Sequence, residues 1–225
     1  MGQIIEFKRP DASTCRGYLA SAGPACPGVV VIQEWWGLND QICGIADRFA
    51  RAGFNALAPD LFKGRVAQDP DEASHLMNGL DFPGATHQDI RGAVDHLRNV
   101  GGKSGGKVAV MGFCMGGALT IAAAVHVPNL SAGVCFYGIP PQEFADPADI
   151  RIPFQGHFAK LDDWCTPAAV DALEAAMRAK GATPELYRYD ADHAFFNERR
   201  GEVYDAACAS LAWERTLAFL AKHLI

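Results

Sequence analysis

Short apolar runs recur along the chain and alternate with segments in which apolar residues have helical spacing. Residues 28–33 (GVVVIQ), 54–59 and 108–111 (VAVM) are continuous apolar runs, which is typical of strands buried on both faces. Helical spacing follows the first run over 40–52 and the second over 85–100. This alternation predicts a mostly parallel, doubly wound α/β sheet with helices on both faces.

The rest of the chain extends the same pattern to a sheet of about seven or eight strands. Further strands are predicted at 3–8, 14–20, 133–137, 153–156 and 185–189, and further helices at 116–127, 167–180 and 203–223. Residues 60–84 are irregular and predict a surface excursion with one short helix, whereas 101–106 (GGKSGG) predicts a flexible turn.

Length, charge and cysteine content narrow the class of protein. The chain has 225 residues, which predicts one domain over 1–225. The net charge of -6 and the lack of a basic block argue against nucleic-acid binding, and no apolar run approaches the roughly 20 residues of a membrane span. Seven cysteines without a CxxC pair argue against a disulfide framework or a zinc site and favour a cytoplasmic protein.

A candidate nucleophile lies between the strand at 108–111 and the helix at 116–127. Residues 112–117 (GFCMGG) have the G-x-S-x-G pattern of the α/β-hydrolase nucleophile elbow, with Cys114 in place of serine. Gly112 and Gly116 avoid Cβ atoms that would clash in such a strained turn. The helix N-terminus favours negative charge at Cys114, and the Met115 N–H can donate to an oxyanion.

A histidine base is expected after the nucleophile, with the acid between them in the chain. His193 follows the last predicted strand and can reach over the carboxyl edge of the sheet, whereas His157 is a weaker competitor. His126 and His223 each end a helix, away from that edge. The sequence therefore predicts His193 as the general base.

Two adjacent carboxylates could orient this base. Asp162 and Asp163 follow the strand at 153–156 and precede Pro167, and either could instead be a charge at a helix N-terminus. The residues alone leave both possibilities open. Asp190 and Asp192 flank His193 and are interpreted as turn residues.

Glu34 and two tryptophans follow the first buried strand, at the edge where ligands bind in such sheets. The Trp35 N–H occupies the place of the second oxyanion donor of the fold, which comes from the loop after an earlier strand. Aromatic side chains are predicted to line the substrate pocket. These side chains are those of Trp36, Tyr137 and Phe195.

Several motifs together resemble the dienelactone hydrolase (carboxymethylenebutenolidase) family. They are QEWWGLN from Gln33, APDLF from Ala58, GFCMGG from Gly112, FYG from Phe136, LDDWCTP from Leu161 and ADHAF from Ala191. The resemblance extends from about Ile4 to the C-terminus. It implies an α/β-hydrolase fold without a large cap, hydrolysis of a small ester or lactone, and no cofactor or metal.

The resemblance also implies roles for individual residues. It implies a Cys-His-Asp triad of Cys114, His193 and Asp163, because the acid of the family stands four residues before a proline. Met115 and Trp35 match the oxyanion donors. Glu34 matches the glutamate that the family uses to activate the thiol when substrate arrives, and an anionic Glu34 beside Cys114 would disfavour a resting thiolate.

The sequence departs from the family at the arginines that bind an anionic substrate. Residues 70–84 contain no arginine, and Asn197 stands shortly after His193. Arg199 is therefore the predicted substrate-binding cation, with Arg65 and Arg200 as alternatives. Whether residues 60–84 close over the site is left open.

The predicted function is hydrolysis of a small ester or lactone through a thioacyl-enzyme intermediate. The expected partner is a small-molecule substrate, without nucleic acid or membrane, and the protein is expected to be a monomer or a small homo-oligomer. Two alternatives are a thiol redox protein that uses Cys114 and a non-catalytic ligand-binding protein of the same fold. The redox alternative requires a resolving cysteine near Cys114.

Overall fold

A computed structural model of the chain describes residues 2–100 and 106–225, so the predicted turn over 101–106 lies, apart from Gly106, outside the described residues. The strands are β1 Gln3–Lys8, β2 Thr14–Ala20, β3 Gly28–Ile32, β4 Asn55–Pro59, β5 Val108–Phe113, β6 Ala132–Phe136, β7 Phe154–Ala159 and β8 Glu185–Tyr189. All eight belong to one sheet with the order β1-β2-β4-β3-β5-β6-β7-β8.

The helices fall between the strands as the apolar pattern predicts. They are α1 Asp40–Arg51, α2 Pro70–Asn78, the short α3 Phe82–Gly84, α4 Arg91–Val100, α5 Met115–His126, α6 Pro167–Ala179 and α7 Ala206–Leu224. A π-helical segment, Ala85–Ile90, joins α3 to α4. Asn39 begins α1 as predicted, because its side chain accepts hydrogen bonds from the N–H groups of Gln41 and Ile42.

The sheet is mostly parallel, which confirms the predicted class. Strands β3 to β8 pair in parallel, and among the strands of the described residues only β1 with β2 and β2 with β4 pair antiparallel. Parallel strands joined through helices all present their carboxyl ends at the same edge. The loops after β3, β5, β6, β7 and β8 therefore meet there, and each of them carries a predicted site residue.

Both faces of the sheet are covered by helices, which explains the continuous apolar runs. On β3, Val29 and Val31 pack in a cluster with α1 and α7, whereas Val30 and Ile32 pack in a cluster with α4 and α5. All four side chains are fully buried. A strand with neighbours on both faces needs apolar residues at every position, so its sequence shows no alternation.

Two differences from the predicted elements bear on the site. Strand β7 continues to Ala159, three residues beyond the predicted end, so the turn that carries Asp162 is short. The excursion over 60–84 contains α2, as predicted, and also the brief α3. Within the described residues, no helix has both the length and the apolar character to cross a membrane.

Candidate active site

Cys114 occupies the single residue between β5 and α5. Its backbone has φ 54° and ψ -116°, a conformation that residues other than glycine rarely adopt. The Cys114 N–H donates to the carbonyl of Phe136 on the neighbouring strand, at 3.0 Å. Such strain persists only where the surrounding structure enforces it, and it is typical of functional sites.

The glycines around Cys114 are required by close backbone contacts. A Cβ on Gly116 would lie 2.5 Å from the carbonyl oxygens of both Ile32 and Gln33. A Cβ on Gly112 would collide with the Gly116 carbonyl, and one on Gly138 would collide with the Cys114 carbonyl. The first turn of α5 therefore rests directly on the ends of β3 and β5, which is the geometry that the G-x-C-x-G pattern predicts.

The Cys114 thiol is held in its protonated form. Burial raises its pKa above the usual range, and the carboxylate of Glu34 raises it further because two negative charges would repel each other. The Met115 N–H faces the sulfur and opposes this shift only in part. The helix N-terminus alone therefore does not produce a resting thiolate at this site.

Glu34 is a buried carboxylate, with 2% of its surface exposed. Its oxygens accept hydrogen bonds from the Tyr137 hydroxyl at 3.2 Å and from the Asn197 side-chain Nδ2 at 2.6 Å. Burial raises the pKa of Glu34, and these bonds together with His193 and Arg200 oppose the shift. Asn197 stands out in the sequence only as a departure from the family, so its contact with Glu34 was not predicted.

His193 is oriented by Asp162. Its Nδ1 lies 2.7 Å from Asp162 Oδ2, and the Asp162 side chain is completely buried. Burial favours the neutral acid, but the hydrogen bond and charge of His193 outweigh it, so the pKa of Asp162 is below its usual value. Asp162 Oδ1 also accepts from the backbone N–H groups of Trp164 at 2.7 Å and Cys165 at 2.9 Å.

The prediction of Asp163 as the partner of His193 is therefore corrected to Asp162. The spacing to Pro167 selected Asp163, but the hydrogen bonds of the turn direct the Asp162 carboxylate inward. Asp163, the next residue of this turn, is exposed and lies at the rim of the cavity instead.

His157, the weaker candidate for the base, belongs to the core. It is fully buried on β7, where Nδ1 bonds the Tyr189 hydroxyl at 2.7 Å and Nε2 bonds Gln155 Oε1 at 2.9 Å. Burial lowers its pKa to about 3, so it stays neutral. Its ring lines neither of the two cavities described below.

Two cavities meet at Cys114, and both are also lined by His193 and Trp164. The first, termed the polar lobe, has a volume of about 320 Å³. Its other lining residues include Glu34, Trp35, Trp36, Asp163, Asp192 and Arg200. The second, termed the apolar lobe, has a volume of about 370 Å³. Its other lining residues include Met77, Phe82, Met115, Tyr137, Ile139 and Phe144.

The predicted aromatic wall is found in part. Trp36 lines the polar lobe and Tyr137 lines the apolar lobe. The prediction for Phe195 is wrong, because its ring is fully buried between Tyr137 and Tyr189 and lines neither lobe. Trp164 was missed: it is 62% exposed and its ring stacks on that of His193, with 6.0 Å between the centroids.

The prediction of Arg199 as the substrate-binding cation is also wrong. Its guanidinium pairs with Asp40 at 3.2 Å, and it lines a separate surface cavity rather than either lobe. Arg200 lines the polar lobe instead, while its Nε pairs with Glu202 at 2.8 Å. Arg65 lies at another surface cavity. Sequence distance from His193 cannot distinguish adjacent arginines that point in different directions.

The two predicted oxyanion donors both lie at the site. Met115 lines the apolar lobe with its N–H directed at the sulfur, and Trp35 lines the polar lobe. Within residues 2–100 and 106–225, the Trp35 N–H has no hydrogen-bond acceptor. An unpaired backbone donor at a cavity is available to a ligand oxygen.

A second cysteine lies at the same edge of the sheet. Cys165 lines the apolar lobe, but it is buried and burial raises its pKa, so it is poorly suited to act as a resolving thiolate. In the described part of the chain, no three His, Cys, Asp or Glu side chains are grouped so that they could hold a metal ion.

Comparison with known proteins gives consistent matches. The model of the dienelactone hydrolase family matches residues 15–224. Protein usf of Aquifex pyrophilus is 37% identical, with 100% of both chains covered. An Aquifex aeolicus protein named "Putative carboxymethylenebutenolidase" is 32% identical, again with 100% of both covered. The crystal structure of a "Putative Dienelactone Hydrolase" from Klebsiella pneumoniae is similar with a TM-score of 0.81 and 27% identity, over 99% of each chain.

Proposed function

The chain belongs to the dienelactone hydrolase family of α/β-hydrolase-fold enzymes, and from this premise we propose that it cleaves small carboxylic esters or lactones with a Cys114–His193–Asp162 triad. The observation that carries the proposal is the 2.7 Å bond between His193 Nδ1 and Asp162. His193 and Cys114 line the same two cavities. A buried carboxylate that orients a histidine beside a strained nucleophile turn is the arrangement of acyl-transfer enzymes.

His193 acts as the base in this proposal. Its Nδ1 is engaged by Asp162, which leaves Nε2 to accept the proton of the Cys114 thiol. In the described residues the thiol forms no hydrogen bond with His193, and the charge that affects it most is that of Glu34. We therefore propose that the thiol turns from Glu34 toward His193 when substrate enters.

The reaction then proceeds through a thioacyl enzyme. The sulfur forms a bond to the substrate carbonyl carbon, and the carbonyl electron pair moves to the oxygen. Collapse of this adduct breaks the carbon–oxygen bond, and the leaving alkoxide takes the proton from His193. Water, deprotonated by His193, attacks the thioester and releases the carboxylic acid and the Cys114 thiol.

Met115 and Trp35 stabilise the oxyanion in this scheme. Met115 lines the apolar lobe, Trp35 lines the polar lobe and Cys114 lines both, and each donor is worth roughly 3 kcal/mol in the transition state of comparable enzymes. Glu34 has a different role. Its carboxylate keeps the resting thiol protonated, which protects a thiol at an open cavity from oxidation.

The test is hydrolysis of 4-nitrophenyl acetate by the wild type and by Cys114→Ala. We expect kcat to fall by about 10⁴-fold or more in the variant, because the covalent route is lost. Cys208→Ala is the matched control, since Cys208 lies on α7 and lines neither lobe. Mass spectrometry of acid-quenched wild type should find one acyl group on the peptide that contains Cys114.

Three results would contradict this proposal. Turnover that survives Cys114→Ala would require a different nucleophile. A peroxide-induced disulfide at Cys114, together with no ester turnover by the wild type, would favour a redox function. Tight ester binding without turnover would favour a binding function.

A further inference from the structure

The two lobes of the site differ in the chemistry of their walls. The apolar lobe is lined by residues from the excursion after β4, by the first turn of α5 and by the loop after β6. Met77 comes from the excursion. Ile139 and Phe144 come from the loop after β6, with Pro140 and Pro141 between them in the chain. No lysine, arginine, aspartate or glutamate is among its described lining residues. An alkyl or aryl group is the complement of such a wall.

The polar lobe does not offer a free cation for a substrate carboxylate. Arg200 is its one described arginine or lysine, and this side chain already pairs with Glu202 at 2.8 Å. Three carboxylate residues, Glu34, Asp163 and Asp192, line the same lobe. An anionic group would therefore meet more negative than positive charge in the polar lobe, and would lose its hydration in the apolar lobe.

We propose that the substrate is an uncharged ester whose alkyl or aryl group fills the apolar lobe, and that the anionic dienelactones are poor substrates. This inference rests on the proposed ester hydrolysis. Cys114, His193 and Trp164 line both lobes, so the reacting carbonyl lies where the lobes meet and one side of the ester extends into each.

The size of the lobe sets the expected selectivity. A volume of about 370 Å³ is at the lower end of ligand pockets, which is enough for a medium-length chain or one aromatic ring. Each methylene that enters should raise kcat/KM by about fourfold, which corresponds to the transfer of one methylene from water to an apolar site. The increase should stop when the chain fills the lobe.

The experiment compares kcat/KM over two series of neutral esters. In one, 4-nitrophenol is fixed and the acyl chain grows from acetate to octanoate. In the other, acetate is fixed and the alcohol grows from ethyl to octyl, with release of acid followed by pH-stat. We expect a rise in one series, because only one side of the ester occupies the apolar lobe.

A charged ester of matched length isolates the effect of charge. The 4-nitrophenyl monoester of octanedioic acid has the acyl length of the octanoate ester and ends in a carboxylate. We expect its kcat/KM to be at least about tenfold below that of the octanoate, since the carboxylate must lose water without gaining a cation. A dienelactone should be hydrolysed no faster than the neutral acetate.

A variant that fills the lobe locates the effect. Ile139→Trp places a larger side chain in the apolar lobe and should reduce the ratio of long-chain to acetate kcat/KM about tenfold or more. Ile4→Trp is the matched control, because Ile4 is 51% exposed on β1 and lines neither lobe. We expect Ile4→Trp to keep the wild-type ratio.

The outcomes separate this inference from the proposed function. Acetate turnover that depends on Cys114, with no increase along either series or with a preference for the charged esters, would overturn the inference and leave ester hydrolysis standing. An unchanged chain-length ratio in folded Ile139→Trp would also overturn it. Absence of Cys114-dependent turnover on every ester would overturn both.

Discussion

Two turns at the same edge of the sheet position the residues of the site, and different interactions fix the conformation of each turn. The turn at Cys114 is fixed by backbone packing: φ is 54°, and the glycine at 116 has no room for a Cβ against the end of β3. The turn at Asp162 is fixed by its own side chain, which accepts from the N–H groups of Trp164 and Cys165 while it holds His193.

The difference determines what each turn can tolerate. At Cys114 the backbone conformation is imposed from outside, so the flanking residues must be small, whatever the nucleophile is. At Asp162 one carboxylate both shapes the turn and orients His193, so its chemical identity matters more than its size. Substitution of a glycine beside Cys114 should therefore reduce mainly stability, whereas substitution of Asp162 should reduce mainly activity.

Among the substitutions that test this difference between the turns, the largest effect is expected from Asp162→Asn. An amide can keep part of the turn, but it cannot stabilise the imidazolium and favours the wrong histidine tautomer, so kcat should fall about 10³- to 10⁴-fold. Asp163→Asn is the matched control, because Asp163 is exposed and should change kcat by less than about threefold. The measurement is kcat for 4-nitrophenyl acetate, with urea unfolding of both variants.

A larger loss in Asp163→Asn than in Asp162→Asn would restore the assignment made from the spacing to Pro167. Loss of folding in Asp162→Asn would instead show that the turn depends on the charge of the carboxylate. Circular dichroism of both variants distinguishes loss of folding from loss of kcat in a folded protein.

A smaller effect, on stability rather than on kcat, is expected from Gly116→Ala. The added Cβ would lie 2.5 Å from two backbone carbonyls that cannot move freely, so the free energy of unfolding should fall by about 3 kcal/mol. Gly44→Ala is the matched control, since Gly44 is in the middle of α1 with no atom near its Cβ position, and alanine should stabilise that helix by about 1 kcal/mol.

Urea unfolding of these two glycine variants measures both effects. Equal unfolding midpoints for Gly116→Ala and the wild type would mean that the contacts with Ile32 and Gln33 are not rigid. Backbone packing would then not be what fixes the turn at Cys114.

The same contrast explains which parts of the molecule the sequence could predict. Buried strands covered on both faces need continuous apolar residues, so β3, β4 and β5 were located closely from residues 28–33, 54–59 and 108–111. The turn at Cys114 was predictable for a similar reason, because its glycines are required by local sterics. The strands predicted at 3–8 and 14–20 are confirmed as well, as β1 and β2.

The direction of individual side chains could not be predicted in this way. Asp162 and Asp163 have the same chemistry, and only the hydrogen bonds of the folded turn distinguish them. Arg199 and Arg200 differ in the same manner, since one pairs with Asp40 and the other faces the polar lobe. The apolar lobe combines segments that are far apart in the chain, so no local pattern indicates it.

Glu34 opposes negative charge on Cys114 at the first turn, whereas Asp162 holds the His193 ring at the second. Glu34→Gln removes this repulsion and keeps its contacts, since the new amide can accept from Asn197 and donate to the Tyr137 hydroxyl. The pKa of Cys114 should therefore fall, while burial still keeps it above the usual range.

Alkylation of Cys114 by iodoacetamide as a function of pH measures this shift. We expect the rate at neutral pH to rise about tenfold in Glu34→Gln, which corresponds to a shift of about one pH unit. Mass spectrometry of the peptide that contains Cys114 separates this thiol from the other six. Glu214→Gln, at an exposed position on α7, should alkylate at the wild-type rate.

Stability provides an independent check with a definite sign. Because burial raises the pKa of Glu34 in the folded protein, the folded state binds more protons than the unfolded state, and stability falls as pH rises from the ordinary glutamate pKa of about 4 through the raised value. Glu34→Gln should thus unfold at a higher urea concentration than the wild type at pH 8, with the difference closing near pH 4. A variant that is less stable than the wild type at pH 8 would mean that the bonds from Tyr137 and Asn197 more than offset the burial of the charge, and Glu34 would then fix its surroundings as Asp162 fixes its turn.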